Sequence, residues 1–253
     1  MSLSSSYSHQ DSCHGDATGF GSIEEVVDRI EAFLRITLPK IIGELKGWAP
    51  DKKKRRNEKR LAKDLSLELN FAASNEVFHF EAEDLENESG TRTVDWGLYP
   101  TSRLLVQGCA SSPKTRLYAI EAKRFRTHET SIDGREREYV VGDWEAKHLA
   151  YKKIQGGIER IKEDHHASGL QKAGMIAFVQ HETPPHWHGK VNEWIDDLIT
   201  NPIPSHKAAW GEQDKLIAKT SPGTGVTEYN SNHSRADGGS IHLTHFWLDL
   251  TAQ

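Results

Sequence analysis

Apolar residues recur at helical spacing early in the chain. Ile23, Val26, Val27, Ile30, Phe33, Leu34 and Leu38 fall three or four positions apart until Pro39, which predicts an amphipathic helix over 23–38 whose apolar face meets a core or a partner. Ser22-Ile23-Glu24-Glu25, just before it, has the capping-box form. A Gly-Trp-Ala-Pro turn at 47–50 separates it from a second predicted helix over 53–71, with Leu61, Leu65 and Leu69 one turn apart.

The period then changes to two. Strands are predicted over 77–83, with Phe78 and Phe80 on one face, over 92–99, with Val94, Trp96 and Leu98 alternating, and over 117–125. The polar stretch 126–143 predicts a long loop of the kind that serves as a lid or binding arm. A helix over 145–163, an apolar strand over 174–180, a helix over 191–198, a polar loop and a strand over 241–250 complete the pattern. Strands interleaved with helices predict an α/β fold, a central mixed β-sheet flanked by helices. Residues 1–21, rich in Ser, His and Gly, predict a flexible tail. That leaves 22–253 as one domain: an N-terminal helical element (22–50), a core (51–180) and a C-terminal extension (181–253).

Composition narrows the class. A chain of 253 residues with 36% hydrophobic content suits a single well-packed domain. No apolar run approaches the ~20 residues of a membrane span, and the start lacks a basic-then-apolar leader pattern, so a soluble, cytoplasmic protein with no membrane partner is expected. Cys13 and Cys109 alone make neither a disulfide framework nor a cysteine zinc site. The net charge of -5 argues against a generic polyanion-coating protein, but the charge is sorted along the chain. Residues 52–63 hold eight Lys and Arg and one acid, Glu58, whereas 76–88 hold six acids and no Lys or Arg. The basic run, Lys52, Lys53, Lys54, Arg55 and Arg56 above all, is a candidate phosphate-binding patch.

The segment Leu117-Tyr118-Ala119-Ile120-Glu121-Ala122-Lys123-Arg124-Phe125 concentrates the chemistry. Glu121 and Lys123 lie two apart on a predicted strand and so share a face, and Asp95 is expected on the neighbouring antiparallel strand. Desolvating such a group is costly unless a metal or polyanion compensates it. Asp95 and Glu121, with the Ala122 carbonyl, offer the hard oxygens that Mg²⁺ prefers. Lys123 beside them is a candidate base, its pKa expected to fall through burial and proximity to the metal.

In this order, Asp95 followed 26 residues later by Glu121-Ala122-Lys123 resembles the Asp…Glu-x-Lys signature of the restriction-endonuclease-like (PD-(D/E)xK) nucleases. The resemblance covers roughly 57–180. It implies a restriction-endonuclease-like core, Mg²⁺-dependent cleavage of DNA with Mn²⁺ as a substitute, and a further Glu on the helix before the sheet, for which Glu58 is the candidate and Glu68 the fallback. It also implies a role in prokaryotic defence, as a homodimer or in a larger complex with an ATPase or helicase subunit. Such nucleases often carry a Gln and a Tyr on the following helix. Gln155 is the candidate here, though the residue four after it is Glu159 and Tyr151 sits four before.

Other motifs carry less. Gly156-Gly157 inside a helical pattern cost about 1 kcal/mol each against Ala, so they mark a close approach of phosphate or backbone, or a helix that restarts at Gly157. His181, His186 and His188 around Pro184-Pro185, and the pair His165-His166, are read as surface histidines and not as a zinc site. His233 and Arg235 in the polar stretch 229–235 are candidate phosphate grips. The rivals are an enzyme of the same fold cutting RNA or branched DNA, and a catalytically idle nucleic-acid-binding or assembly subunit.

Overall fold

The computed structural model describes residues 22–47, 58–85, 93–125, 135–142, 154–221 and 223–251. The predicted tail, Lys52, Lys53, Lys54, Arg55, Arg56, most of the 126–143 loop and the first half of the 145–163 helix lie outside these residues.

A seven-stranded mixed sheet has the order β1-β2-β3-β4-β7-β6-β5. Its strands are β1 (Phe78–Leu85), β2 (Thr93–Pro100), β3 (Tyr118–Phe125), β4 (Lys172–Val179), β5 (Ile217–Ala218), β6 (Val226–Ser234) and β7 (Ser240–Asp249). The junctions β3–β4 and β4–β7 are parallel and the others antiparallel. The helices are α1 (Ile23–Gly47), α2 (Glu58–Ala72), α3 (Ser102–Val106), α4 (Gly157–Lys162) and α5 (Pro184–Thr200). Among the described residues no helix is long and apolar enough to cross a membrane.

Two apolar clusters cover the two sheet faces. Val26, Ile30, Leu34, Leu61, Leu65 and Leu69 of α1 and α2 pack with Trp96, Leu98, Tyr118, Ile120, Ile176 and Phe246. Ile158, Ile161, Trp187, Val191 and Ile195 of α4 and α5 pack with Phe125, Met175, Ala177, Leu243 and Trp247. The expected α/β architecture of one sheet between helical layers is therefore present.

Four local expectations change, the first being the 145–163 helix, of which the described part is helical only over Gly157–Lys162. Helix α1 runs through Pro39 to Gly47. Proline removes one backbone bond there, and burial of Leu38, Ile41, Ile42 and Leu45 against the sheet offsets the loss. Helix α5 begins seven residues before the predicted 191, because Thr183 caps it by accepting from the His186 N–H at 3.4 Å and its prolines occupy the first turn, where no N–H is needed. The polar stretch 229–235 belongs mostly to β6, whose inward positions include the buried polar residues Ser231 and His233. Such a strand has no apolar alternation to read.

Candidate active site

The site begins with strand parity. On β3, Tyr118, Ile120 and Ala122 face the first cluster and Ala119 and Phe125 the second, so Glu121 and Lys123 point to the second face. Glu121 is 2% exposed and Lys123 9%. Strand β2 is paired with β3 only as far as Trp96↔Ile120. Beyond that point Asp95 Oδ2 takes the place of a ladder acceptor, receiving the Ala122 N–H at 2.7 Å. A strand residue's N–H and C=O point to the same side, so the Ala122 carbonyl faces Asp95 as well. Asp95 stands near the start of its strand.

Glu121 is held by three side chains. Lys123 Nζ donates to Oε1 at 2.5 Å, Arg160 Nη1 to the same oxygen at 3.3 Å, and His166 Nδ1 to Oε2 at 3.1 Å. Arg160 comes from α4 and His166 from the loop after it. Burial alone would raise the Glu121 pKa, but Lys123, His166 and Arg160 outweigh it and hold the carboxyl well below the usual carboxylate range. Asp95 behaves in the opposite way. Burial first and the neighbouring Glu121 next push it up to about 7, against the pull of Lys123 and the Ala122 N–H. Burial likewise raises Glu58, the first residue of α2, whose charge also acts on Asp95 and Lys123. Glu58, and not Glu68, thus stands with the cluster.

Lys123 departs from expectation. Burial pulls its pKa down, but Glu121, then Glu58 and Asp95, hold the ammonium above its ordinary value. In this state Lys123 is a proton-bearing charge partner and not a base, because three carboxyl groups surround one amine. Among the described residues no three His, Cys, Asp or Glu side chains are arranged to hold an ion by themselves. Two carboxylates with a carbonyl, completed by water, remain a donor set that suits Mg²⁺.

A cleft of about 420 Å³ leads away from the cluster, lined by Lys59, Lys63, Ala82, Glu83, Asp95 and Trp96, with Ala62 and Val94 between. Lys59 and Lys63 are exposed and one turn apart on α2. Sequence spacing places them in the basic run without distinguishing them from the rest.

His233 and Arg235 lie elsewhere, while Gln155 stands two residues before Gly157, where an added Cβ would lie 3.6 Å from Glu121 Cγ. The Gln155 backbone N–H donates to Glu159 Oε2 at 3.1 Å, and backbone crowding explains the local glycines. A Cβ on Gly156 would lie 2.3 Å from Val141 Cα, and one on Gly142 2.4 Å from Gln155 Cβ. The glycines serve backbone packing, and α4 begins at Gly157. His188 is no surface ligand either, since it is stacked on Tyr229 and bonded to the Leu216 carbonyl at 2.8 Å.

His233 is 1% exposed and belongs to a buried row of hydrogen bonds. Trp247 Nε1 reaches Tyr139 Oη (2.9 Å), Tyr139 reaches His245 Nδ1 (2.6 Å), His245 Nε2 reaches Ser231 Oγ (2.7 Å), Ser231 reaches His233 Nε2 (2.6 Å), and His233 Nδ1 reaches Asp214 Oδ1 (2.5 Å). Indole only donates and a carboxylate only accepts, which sets the two end bonds, and a row running from Trp247 to Asp214 through two neutral imidazoles satisfies every group between them. Burial lowers the pKa of both histidines, which agrees. Lys162, donating to Asp214 at 2.7 Å, balances the charge. Neither His233 nor Arg235, also buried, faces outward to grip a phosphate. Arg160, His166 and this row escape sequence reading because their partners are far apart along the chain.

No family model, curated protein or solved structure matches this chain.

Proposed function

We propose that the protein is a divalent-metal-dependent nuclease acting on DNA. The observation that carries this reading is the placement of Asp95 on the Ala122 N–H at 2.7 Å, next to the buried Glu121–Lys123 pair, where burial and the Glu121 charge push its carboxyl up. Its ionisation is disfavoured until positive charge enters the cluster, which is how a cation site made of carboxylates behaves when it is short of charge. Asp95, Glu121 and the Ala122 carbonyl would hold Mg²⁺ or Mn²⁺. The ion would neutralise phosphoryl charge and activate a water.

The chain's own groups have separate tasks in this reading. Lys123, a buried ammonium, donates to a non-bridging phosphate oxygen once released from Glu121. Arg160 and His166 keep Glu121 ionised and oriented. Glu58 adds a hydrogen-bond acceptor for a water at the entrance. Lys59 and Lys63 attract the sugar-phosphate backbone into the cleft.

One observation favours the idle-subunit rival: both Glu121 oxygens are already engaged by side chains of the protein. Incubating the purified chain with plasmid, linear and single-stranded DNA and with RNA, each with Mg²⁺, Mn²⁺ or chelator, decides between them. Metal-dependent cutting of DNA supports the proposal. Cutting of RNA alone moves it to the RNA-cleaving rival, and binding without cutting under every condition supports the idle subunit.

A further inference from the structure

The loop between α4 and β4 is shaped in a way its length does not require. It turns through three left-handed residues, Asp164 (φ 58°), Ala167 (φ 55°) and Gly169 (φ 74°). Two of these carry a side chain, and each such residue costs about 1–2 kcal/mol unless its surroundings compel it.

Arg235 supplies the compulsion. It reaches across from the turn after β6, and its Nη1 donates to the carbonyls of Ala167 at 2.9 Å and Leu170 at 3.2 Å. Its Nη2 donates to the His166 carbonyl at 3.4 Å and to the Asp164 carboxylate. The guanidinium is buried and thus holds four points of one short loop. At the other end the His166 N–H donates to the Arg160 carbonyl at 3.1 Å.

Arg160 and His166 are therefore joined through their backbones, and their side chains land on opposite oxygens of Glu121, Nη1 on Oε1 and Nδ1 on Oε2. A strained loop, a buried arginine fastening it and a two-pronged grip on one carboxylate converge on a single group. Backbone strain of this kind persists where the surrounding structure over-determines it, and it clusters at functional sites.

We infer that Arg160 and His166 form a two-pronged positioning device for Glu121, fastened by Arg235. This rests on the metal-site reading of Glu121 given above. Neither prong touches substrate. They fix the rotamer of the carboxylate so that Oε1 can exchange Lys123 for a cation while Oε2 stays on His166. Residues that orient a metal ligand in this way are worth about 10–100-fold in metal affinity.

The test uses the full chain, with Mn²⁺ as the probe, and the variants His166→Ala, His166→Asn and Arg235→Met. Mn²⁺ affinity, read by electron paramagnetic resonance, is expected to fall about 10–100-fold in His166→Ala and Arg235→Met. It should largely return in His166→Asn, whose amide can occupy the place of Nδ1. Amide exchange at residues 166–170 should rise in Arg235→Met and stay slow in His166→Ala. Crystal structures of wild type and variants supply a readout without metal: Glu121 is expected to leave its present rotamer in His166→Ala and keep it in His166→Asn.

Glu121 unmoved in His166→Ala overturns the inference, as does wild-type Mn²⁺ affinity in that variant. Failure of the wild-type chain to bind Mn²⁺ overturns the metal-site reading instead, and the crystallographic comparison then still decides the role of His166. Should Arg235→Met not fold, the His166 pair carries the test alone.

Discussion

Asp95 Oδ2 accepts the backbone N–H of Ala122 at 2.7 Å, where β2 has stopped pairing with β3. A carboxylate side chain thus extends the sheet by one bond and brings its charge next to Glu121. For a structural residue an amide would serve equally well and without electrostatic cost. Asp95→Asn is therefore expected to abolish cleavage and to stabilise the fold. With its pKa raised from the ordinary 3.8 to about 7, Asp95 lowers wild-type stability progressively as pH rises from 3.8 to about 7. The cost is complete above that window and reaches up to about 4 kcal/mol. Thermal denaturation should show the variant gaining most at pH 8 and little at pH 4. A variant less stable than wild type at pH 8 would contradict this account.

Lys59 and Lys63 line the cleft that opens on Asp95. Replacing both with Ala should weaken DNA binding and lower the salt slope by about 0.9 for each phosphate that is no longer neutralised. Thermal stability should change by no more than about 0.5 kcal/mol, since both side chains are exposed. An unchanged slope, measured by fluorescence anisotropy against salt concentration, would make them ordinary solvated surface.

The buried row ending on Asp214 gives the protein an acid limit. His233 and His245 are neutral in the fold with lowered pKa values, so the unfolded chain takes up protons first. Their contribution is fully present above about pH 6.5 and is lost as pH falls below that toward the depressed folded values. Ser231→Ala leaves both imidazoles short of a partner and should cost about 1–3 kcal/mol at pH 7.5. Denaturant titrations between pH 5 and 8 check both; a wild type that gained stability on acidification through this window would refute the neutral assignment.

Two glycine substitutions should have opposite effects. A Cβ at Gly156 collides with Val141 and Val140 backbone, whereas at Gly189, in α5, it meets nothing within 4 Å. Gly156→Ala should destabilise by about 1–3 kcal/mol or more. Gly189→Ala should stabilise by up to about 1 kcal/mol. Equal melting temperatures for the two variants would remove backbone crowding as the reason for Gly156.

What is legible in the sequence follows the range over which each signal acts. The apolar strands β3 and β4, the helical faces of α1 and α2, and the shared face of Glu121 and Lys123 depend on neighbours a few residues away, and periodicity reports such neighbours. Strand β6 is hidden from that reading because its interior positions are filled by Ser231 and His233, which are satisfied by Asp214 and His245, residues in other elements. His233 and Arg235 resemble exposed phosphate grips for the same reason: nothing near them in sequence reveals that they are buried. The proton held on Lys123 is likewise a collective effect, set by Glu121, Glu58 and Asp95 together.

Strand β7 comes last along the chain yet lies in the interior of the sheet, parallel to β4 on one side and antiparallel to β6 on the other. A nascent chain that has not yet released residues 240–249 from the ribosome has two half-sheets with raw edges, β4 at the border of one and β6 at the border of the other. Trp247, Thr244 and His245 have not arrived either, so Tyr139, Glu31 and Ser231 each lack one partner. The fold therefore closes in one late step, and until then both open edges are a template for pairing with another chain. A released chain truncated before residue 240 should stay bound to chaperones, whereas one that extends through β7 should leave them.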